Sequence, residues 1–580
     1  MHRKILKIDL ETKKYDISED SDLYAQWMGG TGAGTKLLNR ECPKDIDPMD
    51  PKNPVIFNTG PLNGYFPVIT KTVAMFKSPL TGNMGESHGG GRFFQGMNSA
   101  GFSSIIITGK AKKPCYICIY DDKVEFKNAG SIWGQSAPAT ERILREAEGG
   151  KGKLSVARIG PAGERLSRFA CVTIDGSRHF GRLGIGAVFG SKNLKGLVIG
   201  GTKSLPVVDK KEYNKFYTEI YTEIKESTLM KKYHDYGTSV NVIPLSKIGG
   251  LPTRNFSQGY FEGSSQISGE KFASDYLIQH TACAHCPVGC IHIGKLREKF
   301  SEPCHYKTVK VSYDHELIYA LGSNLSVSYA PDILKLLDYI EKQGWDAISM
   351  GVTLAWATDA FLHGVINLKH TDIPVAFGDT STYMEMMKRI AKGYNEFYRD
   401  LEAGADYCGR KYGGLDLAIC FGKNEAPGYM TGENTYLGFC VGNRHSHLDN
   451  ASYSLDQKLL TTQIDEVKQV ETLLAEERWR FILNSLVICL FAREIYKKDR
   501  VIKLLNLQGY TWDEHSLDDL SKRIHMEKMA FKMANGFNPF SLELPGKLYR
   551  VKSAGNYPDE ESFKRKNKLY WEMAGITEEK

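Results

Sequence analysis

Short runs in which apolar and polar residues alternate dominate the first third of the chain. Lys4 to Leu10 alternates, Pro54–Phe57 and Ser104–Thr108 are compact apolar runs, and Tyr116–Tyr120 is joined through Asp121-Asp122 to Lys123–Phe126. A period of two marks a half-buried strand, so residues 1–208 are expected to be strand-rich, with the last pair forming a hairpin. Beyond Val208 the period shifts to the 3.6 residues of helices that bury one face. Residues 210–236, 330–343, 383–398, 467–496 and 517–533 carry that pattern, and Gly404, Gly409 and Gly413-Gly414 interrupt it near residue 400. The expected fold class is α+β: an N-terminal β-rich domain (1–208), a helical domain (209–400) and a helical C-terminal domain (401–580).

A chain of 580 residues exceeds what one hydrophobic core holds, which agrees with several domains. Hydrophobic residues at 42%, charged residues at 25% and a mean hydropathy of −0.34 are ordinary for a globular protein. No run approaches the roughly 18–20 apolar residues of a membrane span. The N-terminal MHRKILKIDLETKKYD lacks the apolar stretch of an export signal, so the expected location is the cytoplasm. The net charge of +7 is divided among 75 basic and 68 acidic residues without the basic runs of a nucleic-acid groove. A mild positive balance instead favours an acidic protein partner. Twelve cysteines in a cytoplasmic chain read as thiols and ligands rather than disulfides. Cys115 and Cys118 form a CxxC, but on an alternating strand they point to opposite faces, which argues against a metal or redox pair.

Candidate chemistry centres on residues 281–292, TACAHCPVGCIH, where Cys283, Cys286 and Cys290 fall within eight residues. Thiolates are soft ligands that suit iron–sulfur clusters or zinc. A [4Fe–4S] cluster held by four thiolates needs a further cysteine from elsewhere, whereas zinc would complete a Cys3His site with His285 or His292. Three glycine-rich stretches (29–34, 82–92 and 181–195) lack a G-x-G-x-x-G between strand and helix, so a dinucleotide fold fits poorly. They permit close backbone approach, and Arg182, Lys192 and Lys195 beside the last of them are expected to converge on phosphate.

Four polar constellations lie among the helices. The acids of SYDHELIYALG (312–322) are either first-turn dipole partners or a general base, and Asp346 in GWDAISMG (344–351) would cap a helix. GNRHSHLDN (442–450) carries two histidines two residues apart with no third metal ligand nearby, and NSLVICLF (484–491) a lone cysteine that reads as a small hydrophobe.

In order and spacing, over nearly the whole chain, these segments resemble the tungsten-containing aldehyde:ferredoxin oxidoreductase family. CAHCPVGC is similar to that family's cluster loop, GWDAISMG to its first pterin-contacting segment, and NSLVICLF to the second, whose final cysteine is the fourth cluster ligand. The resemblance implies that Cys283, Cys286, Cys290 and Cys489 hold one [4Fe–4S] cluster. It also implies a bis-pterin cofactor carrying tungsten, or molybdenum, sandwiched between the β-rich domain and the two helical domains. KSPLTGNMGESHGGGRF (77–93) and GRLGIGAVFGSKNLK (181–195) match the family's two phosphate-side loops. Cofactor contacts are thereby implied for Lys71, His88, Gly89, Gly90, Arg182, Gly184, Gly186, Asp346 and Asn484, with magnesium bridging the pterin phosphates. The family's catalytic glutamate falls on Glu316, or one step earlier on Asp314, and its histidine on His447. Two positions depart from familiar aldehyde-oxidising members, which carry Asn where this chain has His88 and Asp where it has Asn484. The implied reaction is oxidation of an aldehyde to its acid, with electrons passing through the cluster to ferredoxin or an iron–sulfur subunit, in a homodimer or larger complex. A second enzymatic reading is the catalytic subunit of a class II aromatic acyl-CoA reductase, which resembles the same family. A third, of another class, is a non-catalytic scaffold stapled by a cluster or zinc.

Overall fold

The computed structural model describes residues 2–149, 154–302 and 305–578. The N-terminal third builds two six-stranded sheets. The first comprises β1 (Lys4–Asp9), β2 (Lys14–Glu19), β3 (Val55–Asn58), β4 (Thr72–Lys77), β5 (Met84–Gly89) and β6 (Ser104–Thr108), in the order β2-β1-β6-β3-β4-β5. The second comprises β7 (Cys115–Tyr120), β8 (Lys123–Asn128), β9 (Ser155–Arg158), β10 (Val172–Ile174), β11 (Arg178–Phe180) and β12 (Leu194–Gly200), in the order β11-β10-β9-β12-β7-β8. The β7–β8 hairpin forms as expected. Cys115 and Cys118 sit in two different apolar clusters, on opposite faces of their strand.

Both faces of the first sheet are covered, which is why β3 and β4 read as unbroken buried runs. One face meets the second sheet through Phe57, Ile105, Ile107, Ile117, Phe180 and Phe189, with the Phe57 ring 5.0 Å from Phe93 and 5.1 Å from Phe180. The other face, with Ile56, Val73, Met75 and Ile106, packs on the helix Gly30–Glu41 and on Leu483–Ile488, Leu504, Leu520 and Ile524 from the far end of the chain. The first glycine run serves this contact. Gly30 has φ +41°, and a Cβ there would lie 2.3 Å from the carbonyl oxygen of Asn484. Only a bare backbone lets residues 484–485 come so close to the helix start.

From Val242 to Ile576 a single large core is built by helices around Ala347–Leu362, whose residues 347–360 are all buried. The helices Ala330–Gln343 and Glu514–Ala534 appear where the 3.6-residue period places them. Three expected helices are interrupted. Ser227 divides 210–236 into Lys210–Glu226 and Thr228–Tyr236, its Oγ capping the second by accepting from the Met230 N–H at 3.3 Å. Gly393, at φ +58°, separates Thr380–Lys392 from Glu396–Asp400. The helix expected over 467–496 spans Glu466–Ser485 and then stops, because Val487 adopts φ +56°. A left-handed β-branched residue is a backbone outlier. Here it turns Cys489 out of the helix line.

The helical region also contains a three-stranded antiparallel sheet that periodicity does not reveal: β13 (Leu277–Thr281), β14 (Ile291–Ser301) and β15 (His305–Tyr313). Its strands β14 and β15 are eleven and nine residues long. Polar His292, Glu298 and Lys307 on the set of Leu296 and Val309, and buried Ile293 on the other, break the alternation.

Candidate active site and thiol cluster

The cysteine loop connects β13 to β14 and packs against the turn at Val68. The Val68 N–H donates to the His285 carbonyl and the Val68 carbonyl accepts from the Cys489 N–H, each at 3.1 Å. One residue therefore stitches the local loop to the distant cysteine. Cys286, Cys290 and Cys489 border the same apolar cluster, and the four thiols lie within electrostatic reach of one another and of Lys71. Burial pushes Cys286 up to about 12 and Cys290 to about 11, so binding a metal centre there releases protons. Among the described residues no three His, Cys, Asp or Glu side chains converge as a site for a single metal ion. Of the two histidines that zinc would need, His292 is engaged elsewhere, its Nε2 2.7 Å from the His234 carbonyl, and the exposed His285 ring sits 6.0 Å from Phe94.

Lys71 and Gly90 adjoin this cluster. The Lys71 N–H donates to the Val487 carbonyl at 3.2 Å, and a Cβ on Gly90 would lie 2.8 Å from Cys283 Sγ and 3.2 Å from Lys71 Nζ. Gly89, Gly184 and Gly186 answer to the chain itself. Side chains there would strike Ile174 and Phe180, the Arg168 carbonyl, and the Cys171 carbonyl, respectively.

Across the site, Asp314 and Glu316 separate into two roles. Asp314 is the N-cap of the helix His315–Leu321, with Oδ1 accepting from the Leu317 N–H at 3.2 Å. Glu316, one residue into that helix, turns its Oε1 toward His447 Nδ1 at 3.6 Å, while Oε2 accepts from the Gly428 N–H at 3.0 Å. Glu316 Oε1 and His447 Nδ1 are buried and have no hydrogen-bond partner among the described residues. Burial pushes Glu316 up to about 8, against the Gly428 N–H and with Asp314 and Asp346 adding to the rise. Burial, with Arg182 and His315 nearby, holds His447 well below the ordinary range. Burial thus disfavours the charged form of both side chains. His445 turns away, its Nε2 3.1 Å from Lys532 Nζ, so the two histidines of the RHSH segment share no ligand site.

Asp346 caps the central helix, accepting from the Ile348 and Ser349 N–H groups, and also accepts from Arg182 Nε at 3.0 Å. Ser349 Oγ then contacts both Asp346 Oδ2 and Glu425 Oε2 at 2.7 Å. Burial pushes Glu425 up to about 7. Ser349 meets Asp346 locally, three residues along the same helix start, whereas no sequence signal marks Glu425, which joins them only through tertiary packing. A separate cavity of about 330 Å³ is lined by Leu80, Thr81, Arg168, Tyr407 and Lys423. It contains none of the expected site residues.

His88, on β5, places Nε2 2.7 Å from Glu86 Oε1, and Glu86 also pairs with Lys528. Burial opposes the charge on Glu86, but Lys528 and His88 outweigh it and hold the carboxyl well below its usual range. Asn484 is buried near the end of its helix against Gly30. The expected convergence of Lys192 and Lys195 on phosphate does not occur. Lys192 donates to the Pro51 carbonyl at 2.7 Å and Lys195 pairs with Glu164, both inside the N-terminal third. Only Arg182 of that segment reaches the site.

The description "Aldehyde ferredoxin oxidoreductase, N-terminal domain" matches residues 5–201, and "Aldehyde ferredoxin oxidoreductase, domains 2 & 3" matches residues 215–580. The chain belongs to the aldehyde ferredoxin oxidoreductase family. A tungsten-containing aldehyde ferredoxin oxidoreductase of Pyrococcus horikoshii is 32% identical over 99% of this chain and 96% of its own length. An aliphatic sulfonate oxidoreductase, WOR-like subunit, of Pyrococcus furiosus is 29% identical over 67% of this chain and 64% of its own. Among solved structures, the BamBC active-site complex of benzoyl coenzyme A reductase with 1,5-dienoyl-CoA matches with a TM-score of 0.82, covering 99% of this chain and 94% of that one at 20% identity. The chain thus belongs to an oxidoreductase family with the expected α+β fold. No helix among the described residues is long and apolar enough to cross a membrane.

Proposed function

We propose that this member of the aldehyde ferredoxin oxidoreductase family oxidises an aldehyde to its carboxylic acid and passes the electrons to ferredoxin or an iron–sulfur subunit. The observation that carries this reading is the buried Glu316–His447 pair, 3.6 Å apart and otherwise unpartnered at the facing atoms, in a chain related over its full length to tungsten-containing aldehyde oxidoreductases.

The residues fit the cofactors of that family. Four thiols from two distant segments match a [4Fe–4S] donor set on Cys283, Cys286, Cys290 and Cys489. Arg182 Nη1 is buried without a partner, a donor suited to an anionic cofactor, and Gly90 keeps the space beside Cys283 and Lys71 clear of a side chain. Asp346 and Asn484 would hold the two pterins, with Lys71, His88, Arg182 and the backbone at Gly89, Gly90, Gly184 and Gly186 around them, and magnesium would be a further bound ion. When bound, the tungsten or molybdenum bis-pterin supplies a two-electron acceptor.

The net reaction is aldehyde plus water giving acid, two electrons and two protons. Glu316, once ionised, takes a proton from the attacking water or aldehyde hydrate. His447 donates a ring N–H to the oxygen on which negative charge develops, in a site where burial strengthens the hydrogen bond. We place the protein in the cytoplasm, as a homodimer or part of a larger complex.

Metal analysis of anaerobically purified protein tests the reading. Tungsten or molybdenum near one per chain with about four irons is expected; zinc with neither would sink it. The acyl-CoA reductase reading rests on fold alone. Anaerobic assays with benzaldehyde and with benzoyl-CoA separate the two.

A further inference from the structure

We propose that the outer face of the β13–β15 sheet docks an acidic one-electron carrier protein beside the cysteine loop. The proposal rests on the reading that electrons leave through the four thiols.

The register defines the face. Lys295 lies opposite Lys310, Arg297 opposite Thr308, and Lys299 opposite Tyr306. Residues directly opposite on antiparallel strands share a face, so these six side chains lie together. On the alternating set Leu296 and Val309 join the helical core, and toward the hairpin tip Glu298 pairs with the exposed Lys307. The outer set is open to solvent except at the half-buried Lys295, with Tyr306 47% exposed beneath the Arg297 guanidinium at 4.8 Å.

Four cations thus occupy one small sheet face. Lys299 meets Glu302 at 2.5 Å. Among the described residues Lys295, Arg297 and Lys310 make no ion pair; Lys310 contacts only the neutral Gln279 of β13, at 3.3 Å. Like charges directly opposed across strands destabilise a hairpin. Folding alone therefore gives no reason for Lys295 to face Lys310. A partner with an acidic surface does.

Position selects the kind of partner. β13 ends two residues before Cys283, and β14 begins one residue after Cys290. At about 3.4 Å per residue, Lys295 lies roughly 17 Å of strand beyond Cys290. The thiols are only partly buried, and Ala282 and His285 of the loop are exposed. A small acidic protein seated on this face would rest against the loop, and the charge on the face would steer its approach.

The test uses the holoprotein and an acidic [4Fe–4S] ferredoxin as probe. Binding is measured in low and moderate salt for the wild type, for a Lys295→Glu/Arg297→Glu/Lys310→Glu variant, and for the milder Arg297→Gln/Lys310→Gln variant. The wild-type Kd is expected to weaken with salt. The triple variant is expected to bind at least about tenfold more weakly with most of the salt dependence lost, and the double variant to lie between. Iron content and methyl viologen-linked aldehyde turnover should hold in both, since neither needs this face. Wild-type affinity in the variants, or salt-independent binding by the wild type, overturns the proposal. Absence of viologen-linked turnover in the wild type would instead count against the aldehyde reading, and the binding ratios would still decide the docking face.

Discussion

Replacing Glu316 with glutamine keeps the side chain's shape, and its carbonyl can still accept from the Gly428 N–H, but it removes the capacity to take a proton. Burial pushes this carboxyl from its ordinary 4.5 up to about 8. A carboxyl raised in this way is protonated below that pH and becomes a base only above it. The ionised fraction is about 10% at pH 7, half at pH 8 and about 90% at pH 9. The second-order rate constant for aldehyde oxidation should therefore rise about fivefold from pH 7 to 8, and by about a further factor of two to pH 9. His447, held well below the ordinary range, stays neutral throughout and adds no limb. Glu425, raised to about 7, contacts Ser349 and the Ala405 N–H rather than His447, so Glu425→Gln should leave the limb near pH 8 in place. Glu316→Gln should cost on the order of 10²–10⁴ in rate and abolish the limb. Anaerobic kcat/KM profiles with a viologen acceptor, normalised to metal content, measure both effects. A flat wild-type profile, or a glutamine variant within tenfold of wild type that keeps the limb, would refute the base assignment.

Three further outcomes follow from the packing. Cys489→Ala should strip most of the iron, whereas alanine at the fully buried Cys440 of the helical core should leave iron analysis and the cluster's EPR signal unchanged. Lys528→Met removes the cation paired with buried Glu86 and should cost about 3–5 kcal/mol in denaturant unfolding; adding Glu86→Gln should recover most of it, and a cost below about 1 kcal/mol would show that the pair does not bear on stability. Gly90→Ala brings a Cβ within 2.8 Å of Cys283 Sγ and should lower iron content in a protein that still folds; a full iron complement would mean the loop gives way.

Much of this protein is legible along the chain. Alternation in Lys4–Leu10, Ser104–Thr108 and the 116–126 hairpin places strands, because a pleated strand shows its two faces by turns. The 3.6-residue period places Ala330–Gln343 and Glu514–Ala534. Three cysteines within eight residues announce soft-ligand chemistry by their spacing alone. Strands β13–β15 escape the same reading because His292, Glu298 and Lys307 fall on the same set as Leu296 and Val309, which breaks the alternation.

The tertiary structure decided the rest. Asp314 and Glu316 are both first-turn acids to a sequence reading; packing makes one a cap and turns the other toward His447, 131 residues away. Lys192 and Lys195 sit as close to glycines as Arg182 does, yet each meets a partner within the N-terminal third, leaving Arg182 for the site. A left-handed Val487 ends a helix whose apolar pattern runs on, and so brings Cys489 to the Val68 turn. Periodicity states which side of an element is buried, because burial of apolar surface needs only one coherent face. It does not state what covers that face, because the covering residues come from any distance along the chain.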